Sequence, residues 1–175
     1  MLDLRQYALR TGDSRRVELA LEMEPIVMGG QRYQPEPAAV VARLDLQATA
    51  DGLYLRLRFA TEIVGPCVRC LDQARVAVDV DASEYHEPGA ASGGDEETVS
   101  DYLEELSLDI DRWARDALVL AVPGTLLCRP DCRGLCPVCG ANLNDDPGHS
   151  HPQEQIDERW AALRELRDDD GDAPA

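Results

Sequence analysis

The chain has 175 residues, with 34 acidic side chains against 17 basic ones and a formal net charge of −17. That balance excludes a broad phosphate-binding face, which needs clustered cations, and suits solubility or a basic protein partner. With 44% hydrophobic residues, the chain can bury one ordinary core, or a core plus a small module.

The N-terminus, Met1-Leu2-Asp3-Leu4-Arg5, has neither the cationic start nor the apolar stretch of a secretory signal. Alternation then sets in. Val17, Leu19, Leu21 and Met23 alternate with polar or small residues, as do Ala42, Leu44, Leu46 and Ala48 with Arg43, Asp45 and Gln47. Asp51-Gly52 is a hairpin turn signal. The strand after it carries Leu53, Leu55, Leu57, Phe59, Thr61 and Ile63 on one face, and Tyr54, Arg56, Arg58 and Glu62 on the other. Another strand sets Val76, Val78, Val80 and Ala82 inside, with Asp79 and Asp81 outside. Period-two alternation of this length predicts strands, and one packed, one solvated face predicts an antiparallel sheet. Between these last two strands lies Gly65-Pro66-Cys67-Val68-Arg69-Cys70-Leu71, a Cys-x-x-Cys pair at a hairpin tip.

Residues 87–97 are small and acidic and predict a mobile loop. Ile110, Trp113, Ala114, Ala117, Leu118 and Ala121 recur at helical spacing, predicting a helix over Ile110–Ala121. Asp109 is its N-cap, Asp111 lies near the positive end of its dipole, and Pro123-Gly124 ends it. Ile156, Trp160, Leu163 and Leu166 predict a second short helix over Gln153–Arg167. The expected fold is α+β, an antiparallel sheet or partial barrel with a few short helices and a zinc-ribbon-like C-terminal segment. Its expected divisions are a sheet domain over 1–123, a cysteine-rich segment and helix over 124–167, and a disordered acidic tail over 168–175. The longest apolar run, Ala117 to Val122, is far too short to span a bilayer. The expected location is therefore the cytoplasm, where structural disulfides are disfavoured. The six cysteines then read as metal ligands or reactive thiols.

The most specific pattern is Gly134-Leu135-Cys136-Pro137-Val138-Cys139-Gly140. A Cys-x-x-Cys turn followed by Gly wraps one metal ion, and ribbon-type zinc sites use two such pairs. Two partitions of the ligands compete. In one, Cys128, Cys132, Cys136 and Cys139 share a single zinc, leaving little chain to wrap a tetrahedral ion. In the other, which is preferred, Cys136 and Cys139 join His149 and His151, while Cys67 and Cys70 join Cys128 and Cys132. Each site then ties separate segments together, where structural zinc adds most to stability. The alternative roles are free thiols at the hairpin tip and solvent histidines in the Asp145-Asp146-Pro147-Gly148 loop. His86 stands apart as a surface histidine.

A catalytic Cys-x-x-Cys usually opens a helix after a strand, where the dipole lowers the thiol pKa. Neither pair has that context, so a thiol redox protein or sensor using Cys67 and Cys70 is the secondary reading. A metal-dependent DNA-binding regulator lacks a basic recognition helix, because Ile110–Ala121 carries only Arg112 and Arg115. Every basic residue is arginine; Arg69, Arg129 and Arg133 cluster near the cysteines, as an RNA contact or as solvated turn residues.

Four stretches together resemble the bacterial YceD family, the large ribosomal RNA subunit accumulation proteins. They are Cys67-Val68-Arg69-Cys70-Leu71, Leu118-Val119-Leu120-Ala121-Val122-Pro123, the run from Cys128 to Asn144 (CRPDCRGLCPVCGANLN), and Ile156-Asp157-Glu158-Arg159-Trp160-Ala161-Ala162-Leu163. The resemblance implies a role in large-subunit rRNA accumulation and ribosome assembly, shared with plastid relatives, and no known enzymatic activity. It also implies that the Cys-x-Arg-Cys element can occur without the Cys-Pro-x-Cys-Gly element, which favours two sites. His149-Ser150-His151 departs from the Cys-x-Cys that many relatives carry, and histidine can replace cysteine on zinc. The expected cofactor is one or two zinc ions. The expected partner is a ribosomal protein or assembly factor, with rRNA as a further candidate and no DNA, membrane or small-molecule substrate.

Overall fold

The computed structural model describes residues 1–87 and 99–151. Its strands are β1 (Leu2–Asp3), β2 (Ser14–Glu22), β3 (Ile26–Met28), β4 (Gln31–Glu36), β5 (Ala39–Ala48), β6 (Leu53–Pro66), β7 (Gln73–His86), β8 (Leu103–Glu104) and β9 (Ser107–Leu108). A 3-10 turn covers Leu4–Tyr7, and α1 covers Ile110–Ala121.

The spine of the sheet is β6. Along one edge β7 pairs with its whole length, from Leu53↔His86 to Pro66↔Gln73. Its other edge is shared: β5 takes Leu53 to Arg58, and β4 takes Glu62 to Val64. β2 adds to the far edge of β5, and β3 to β4. Every pairing is antiparallel, and the main sheet runs β2-β5-β6-β4-β3 with β7 on β6. A second small sheet, β1-β9-β8, joins the chain start to the turn before α1.

The inner face follows the alternation in the sequence. Leu44, Leu46, Leu55, Leu57 and Ile63 are all fully buried. Each such side chain contributes about 1.5–3 kcal/mol of transfer free energy. α1 packs its apolar stripe against β7, burying Ile110, Trp113, Ala114, Ala117 and Leu118. Its N-terminus is capped as the sequence predicts, with the Asp109 carboxylate accepting from the Arg112 N–H at 3.2 Å. This is an antiparallel sheet with one α-helix among the described residues, three of whose strands, β2, β3 and β7, have one strand neighbour each. The helix expected over Gln153–Arg167, the loop expected over 87–97 (apart from Glu87) and the tail expected over 168–175 lie outside the described residues.

The β3–β4 hairpin is an element that the alternation does not announce. Its two-residue turn is Gly29-Gly30, with φ of 56° and 78°, the left-handed pair that a tight hairpin of this twist needs. Pro35 lies within β4, opposite Ile63, and a proline normally demotes a run from strand status. Tyr33 on β4 is buried and lies directly over Gly65 on β6. A Cβ at Gly65 would collide with the Tyr33 ring.

The chain divides into two compact units, Met1–Arg133 and Gly134–Ala175. The first holds the sheet and helix. The second, in its described part, is built on the Leu135↔Asn142 bridge and the Leu143 N–H to Gly134 carbonyl bond of 2.9 Å.

Gly65→Ala is expected to lower stability by about 1–3 kcal/mol, the usual cost of forcing atoms into a packed site. Gly124→Ala, where a Cβ meets nothing within 4 Å, serves as the control. Denaturant melts of both check this, and equal midpoints would contradict the Tyr33–Gly65 contact.

Candidate metal centre

The first cluster forms where β6 turns into β7. The Cys67 N–H donates to the Asp72 carbonyl at 2.7 Å, and the Leu71 N–H donates to the Cys67 carbonyl at 3.0 Å. This closes a turn with Leu71 at φ of 65°, and the Arg69 N–H points at the Cys67 sulfur from 3.4 Å. The segment after α1 is drawn in by two bonds. The Val68 N–H donates to the Leu126 carbonyl at 2.9 Å, and the Arg69 guanidinium donates to the Cys132 carbonyl at 2.9 Å. A turn closed by the Cys132 N–H on the Arg129 carbonyl, 3.1 Å, then presents Cys128 and Cys132.

Four sulfurs converge as a result. Cys67 and Cys132 lie 3.7 Å apart and Cys70 and Cys128 3.5 Å apart, and all four sulfurs fall within 4.8 Å of one another. None is in a disulfide. A tetrahedron with metal–sulfur distances of about 2.3 Å has sulfur–sulfur edges of about 3.8 Å, so the donor set fits a tetrahedral soft ion. Cys67, Cys70 and Cys132 are buried, and Cys128 is half-buried.

The electrostatics of the four differ. Burial raises the Cys67 thiol pKa, but N–H donors from the backbone of Arg69, Cys70 and Cys128 outweigh it and hold the group at about 6. Burial pushes Cys70 strongly upward and Cys128 upward as well. Four adjacent thiols cannot all ionise unaided, because like charges this close oppose one another. A bound dication removes that conflict.

The second cluster lies within the second unit. The Gly140 N–H donates to the Cys136 carbonyl at 2.8 Å, and the Cys136 N–H to the Ala141 carbonyl at 2.8 Å. Gly140 has φ of 75°. The Cys139 sulfur lies 3.1 Å from His149 Nε2 and 3.3 Å from His151 Nε2, and the two imidazole nitrogens are 3.0 Å apart. These edges are a few tenths of an ångström tighter than tetrahedral zinc would set, since Zn–N of about 2.0–2.1 Å and Zn–S of about 2.3 Å give edges of about 3.3–3.6 Å. Cys136 completes the group within the same 4.8 Å limit. Backbone N–H groups of Cys139 and Val138 hold the Cys136 thiol at about 6. Asp146 Oδ2 lies 3.7 Å from His149 Nδ1, an ion-pair distance longer than a hydrogen bond.

All eight residues singled out in the sequence are thus brought together, in two groups of four. The grouping is the one that joins the hairpin tip to Cys128 and Cys132. Both turns share one construction, in which the residue after the second cysteine is left-handed and donates to the first cysteine's carbonyl. Gly140 does this freely, whereas Leu71 does it with a side chain. His86, at the end of β7, belongs to neither group; its environment is half-buried rather than surface, and burial lowers its pKa. Asp146 behind His149, and the Val68–Leu126 bond that seats the incoming segment, are not signalled by ligand spacing. The Asp-x-x-His step from Asp146 to His149 was the one available hint. Arg69 is engaged with Cys132, and Arg129 pairs with Asp131 at 3.4 Å. Among the described residues, no helix is long and apolar enough to cross a membrane.

These features define an antiparallel sheet protein with two four-ligand clusters of soft-metal type. Residues 55–167 match the family described as Large ribosomal RNA subunit accumulation protein YceD. The chain belongs to the YceD family. It is 37% identical over 126 residues to an uncharacterized protein of Mycobacterium tuberculosis, covering 70% of this chain and 59% of the relative. An uncharacterized Mycobacterium leprae protein is 32% identical over 125 residues, covering 70% of this chain and 57% of the relative. The chain therefore spans less than two thirds of the length of these relatives. A Zea mays protein named Large ribosomal RNA subunit accumulation protein YCED homolog 1, chloroplastic, is 46% identical over 37 residues, 21% of this chain and 13% of the relative. No solved structure matches the chain.

Leu71 is 58% exposed, so its removal forfeits little packing, while its left-handed backbone costs about 1 kcal/mol. Leu71→Gly is expected to raise the melting temperature by a few degrees with metal content unchanged. A fall in melting temperature, read by calorimetry on both proteins, would contradict the strain.

Proposed function

We propose that the chain is a non-catalytic, zinc-stabilised factor that supports accumulation of large-subunit rRNA and ribosome assembly in the cytoplasm. The family name supplies the process, and the two four-ligand clusters supply the physical character. Cys67, Cys70, Cys128 and Cys132 would hold one zinc, and Cys136, Cys139, His149 and His151 a second, the latter in a ribbon-like segment. With every position filled by protein, such an ion has no open site for substrate and serves structure alone. Given the charge of −17, the partner that fits best is a basic ribosomal protein or an assembly factor, with rRNA as a further partner.

The single observation that carries this reading is the convergence of four sulfurs from two chain segments around a volume of zinc size. A thiol redox protein would also draw on the lowered Cys67 pKa. That reading needs a lone reactive pair, however, and Cys67 and Cys70 are each matched by a sulfur from the other segment, at 3.7 and 3.5 Å.

Native mass spectrometry of the purified chain is expected to find two zinc ions, with Cys67→Ser and Cys136→Ser each losing one. One ion that is insensitive to Cys67→Ser would overturn the two-site assignment. Alkylation of the holo-protein should be slow and become fast with a chelator, whereas fast alkylation without chelator would favour the redox reading. In cells lacking the chain, large-subunit rRNA is expected to fall several-fold relative to small-subunit rRNA. An unchanged ratio would overturn the functional assignment.

A further inference from the structure

The open edge of β2 carries a pattern that is the complement of itself. The Met23 N–H donates to the Ala38 carbonyl at 2.7 Å, and the Ala48 N–H to the Asp13 carbonyl at 3.0 Å. These bonds extend the β2–β5 register by one residue at each end. Antiparallel ladders alternate, so the odd-numbered residues of β2 bond to β5. The backbone N–H and C=O groups of Ser14, Arg16, Glu18, Ala20 and Glu22 therefore point away from it. Among the described residues, β5 is the only strand beside β2.

The core stops short at this edge. Ala42 and Leu44 on β5 are fully buried, whereas Leu19 and Val17, their partners on β2, are only half-buried. β7, the other long strand with one neighbour, differs. Its Val78 and Val80 are 4% and 3% exposed, and α1 packs against it. An added strand thus gains apolar cover at β2 rather than at β7. Native edges are usually blunted by a proline, a lysine or a bulge, and β2 has none of these over its nine paired residues.

Its charges are also sorted by end. Arg15 and Arg16 stand at the start, and Glu22 and Glu24 at the finish. Glu22 and Glu24 share a cleft of about 420 Å³ with Met23, Asp111, Arg112 and Arg115. The other charges of that cleft are matched, Asp111 by the chain's amino group at 3.5 Å and the two arginines by Asp116 at 4.0 and 3.2 Å. Arg16 binds Asp45 through Nε, which leaves its terminal nitrogens for a second carboxylate.

We propose that β2 is the interface of a two-fold dimer, in which the β2 strands of two copies pair antiparallel about Leu19. In that register Leu19 meets Leu19, and Val17 of one copy meets Leu21 of the other, on the inner face. On the outer face Arg16 meets Glu22, and Glu18 meets Ala20. Arg15 falls opposite Met23, beside the cleft that Glu24 lines. The outward-pointing backbone groups become the hydrogen-bonded pairs, and the apolar residues take the closer, non-hydrogen-bonded positions. The neighbouring registers are worse. Pairing about Glu18 sets that carboxylate against its own copy, and pairing about Val17 sets Arg15 against Leu19. Long-range repulsion between two chains of −17 makes the dimer weak and concentration-dependent.

Sedimentation equilibrium of the zinc-loaded full chain across a concentration series tests this. Twice the chain mass is expected at high concentration. Ala20→Pro removes an outward N–H that the monomer does not use, and should weaken association about 10-fold or more. Arg16→Glu and Glu22→Arg should each weaken it about 3- to 10-fold, since each substitution counts twice across the axis, and the double variant should restore it. Melting temperatures of the dilute variants check that each monomer folds. As a readout on the unaltered chain, amide hydrogen exchange at Arg16, Glu18, Ala20 and Glu22 should slow as concentration rises, while Val17, Leu19 and Leu21 are protected throughout. A monomer at every concentration overturns the proposal. So does a dimer whose β2 amides stay unprotected or that folded Ala20→Pro leaves intact. Growth beyond two copies also overturns it, because a two-fold contact closes on itself.

Discussion

Four sulfurs from two distant segments, confined within 4.8 Å of one another, are the constraint on which the rest of this structure turns. The partners that touch are 65 and 58 residues apart in the chain. Cross-linking a loop of that length removes about 4 kcal/mol of conformational freedom from the unfolded chain. A structural zinc binding free energy is about 10–16 kcal/mol, comparable with the whole stability of a typical domain, about 5–15 kcal/mol. An ion at this position would thus decide whether the segment after α1 stays on the hairpin tip. The hydrogen bonds that also hold it, Val68 to Leu126 and Arg69 to Cys132, contribute only about 1 kcal/mol each.

The sheet supplies the rigidity that this arrangement requires. β6 and β7 pair without interruption over 14 residues each, so the turn carrying Cys67 and Cys70 sits at the end of a stiff two-stranded arm. On the other side of β6, β4 and β5 share the edge, and Tyr33 fills the space that Gly65 leaves open. The same sheet has a second, solvated face, where arginine and carboxylate side chains alternate across strands. Within the first unit, packing thus occupies the inner face, and the four-cysteine cluster lies at the β6–β7 turn.

Much of this was legible in the sequence, and the rest was not for physical reasons. Period-two runs around Leu44, Leu57 and Val78 located the long strands, and the stripe from Ile110 to Ala121 located the helix. Those signals come from one-sided burial, which the residue pattern records directly. The β3–β4 hairpin escaped because Pro35 argues against a strand, although Gly29-Gly30 marked its turn. The two-residue strands β1, β8 and β9 are too short to have a period. At the candidate centre, ligand types and spacing gave the eight residues, but spacing alone left two partitions open. Only the fold shows that the hairpin tip faces Cys128 and Cys132. Asp146 was marked only by its Asp-x-x-His step to His149, and the strained Leu71 by nothing, because its role depends on backbone geometry rather than on residue type.

Zinc K-edge X-ray absorption on the purified, metal-loaded chain tests the account most directly, because it counts the donor atoms themselves. Four sulfurs at one ion, and two sulfurs with two nitrogens at the other, follow from the two clusters. The averaged first shell should then hold three sulfurs and one nitrogen per zinc, at about 2.3 and 2.0–2.1 Å. A shell of oxygen and nitrogen alone, or one of sulfur alone from a single bound ion, would contradict the two-centre structure.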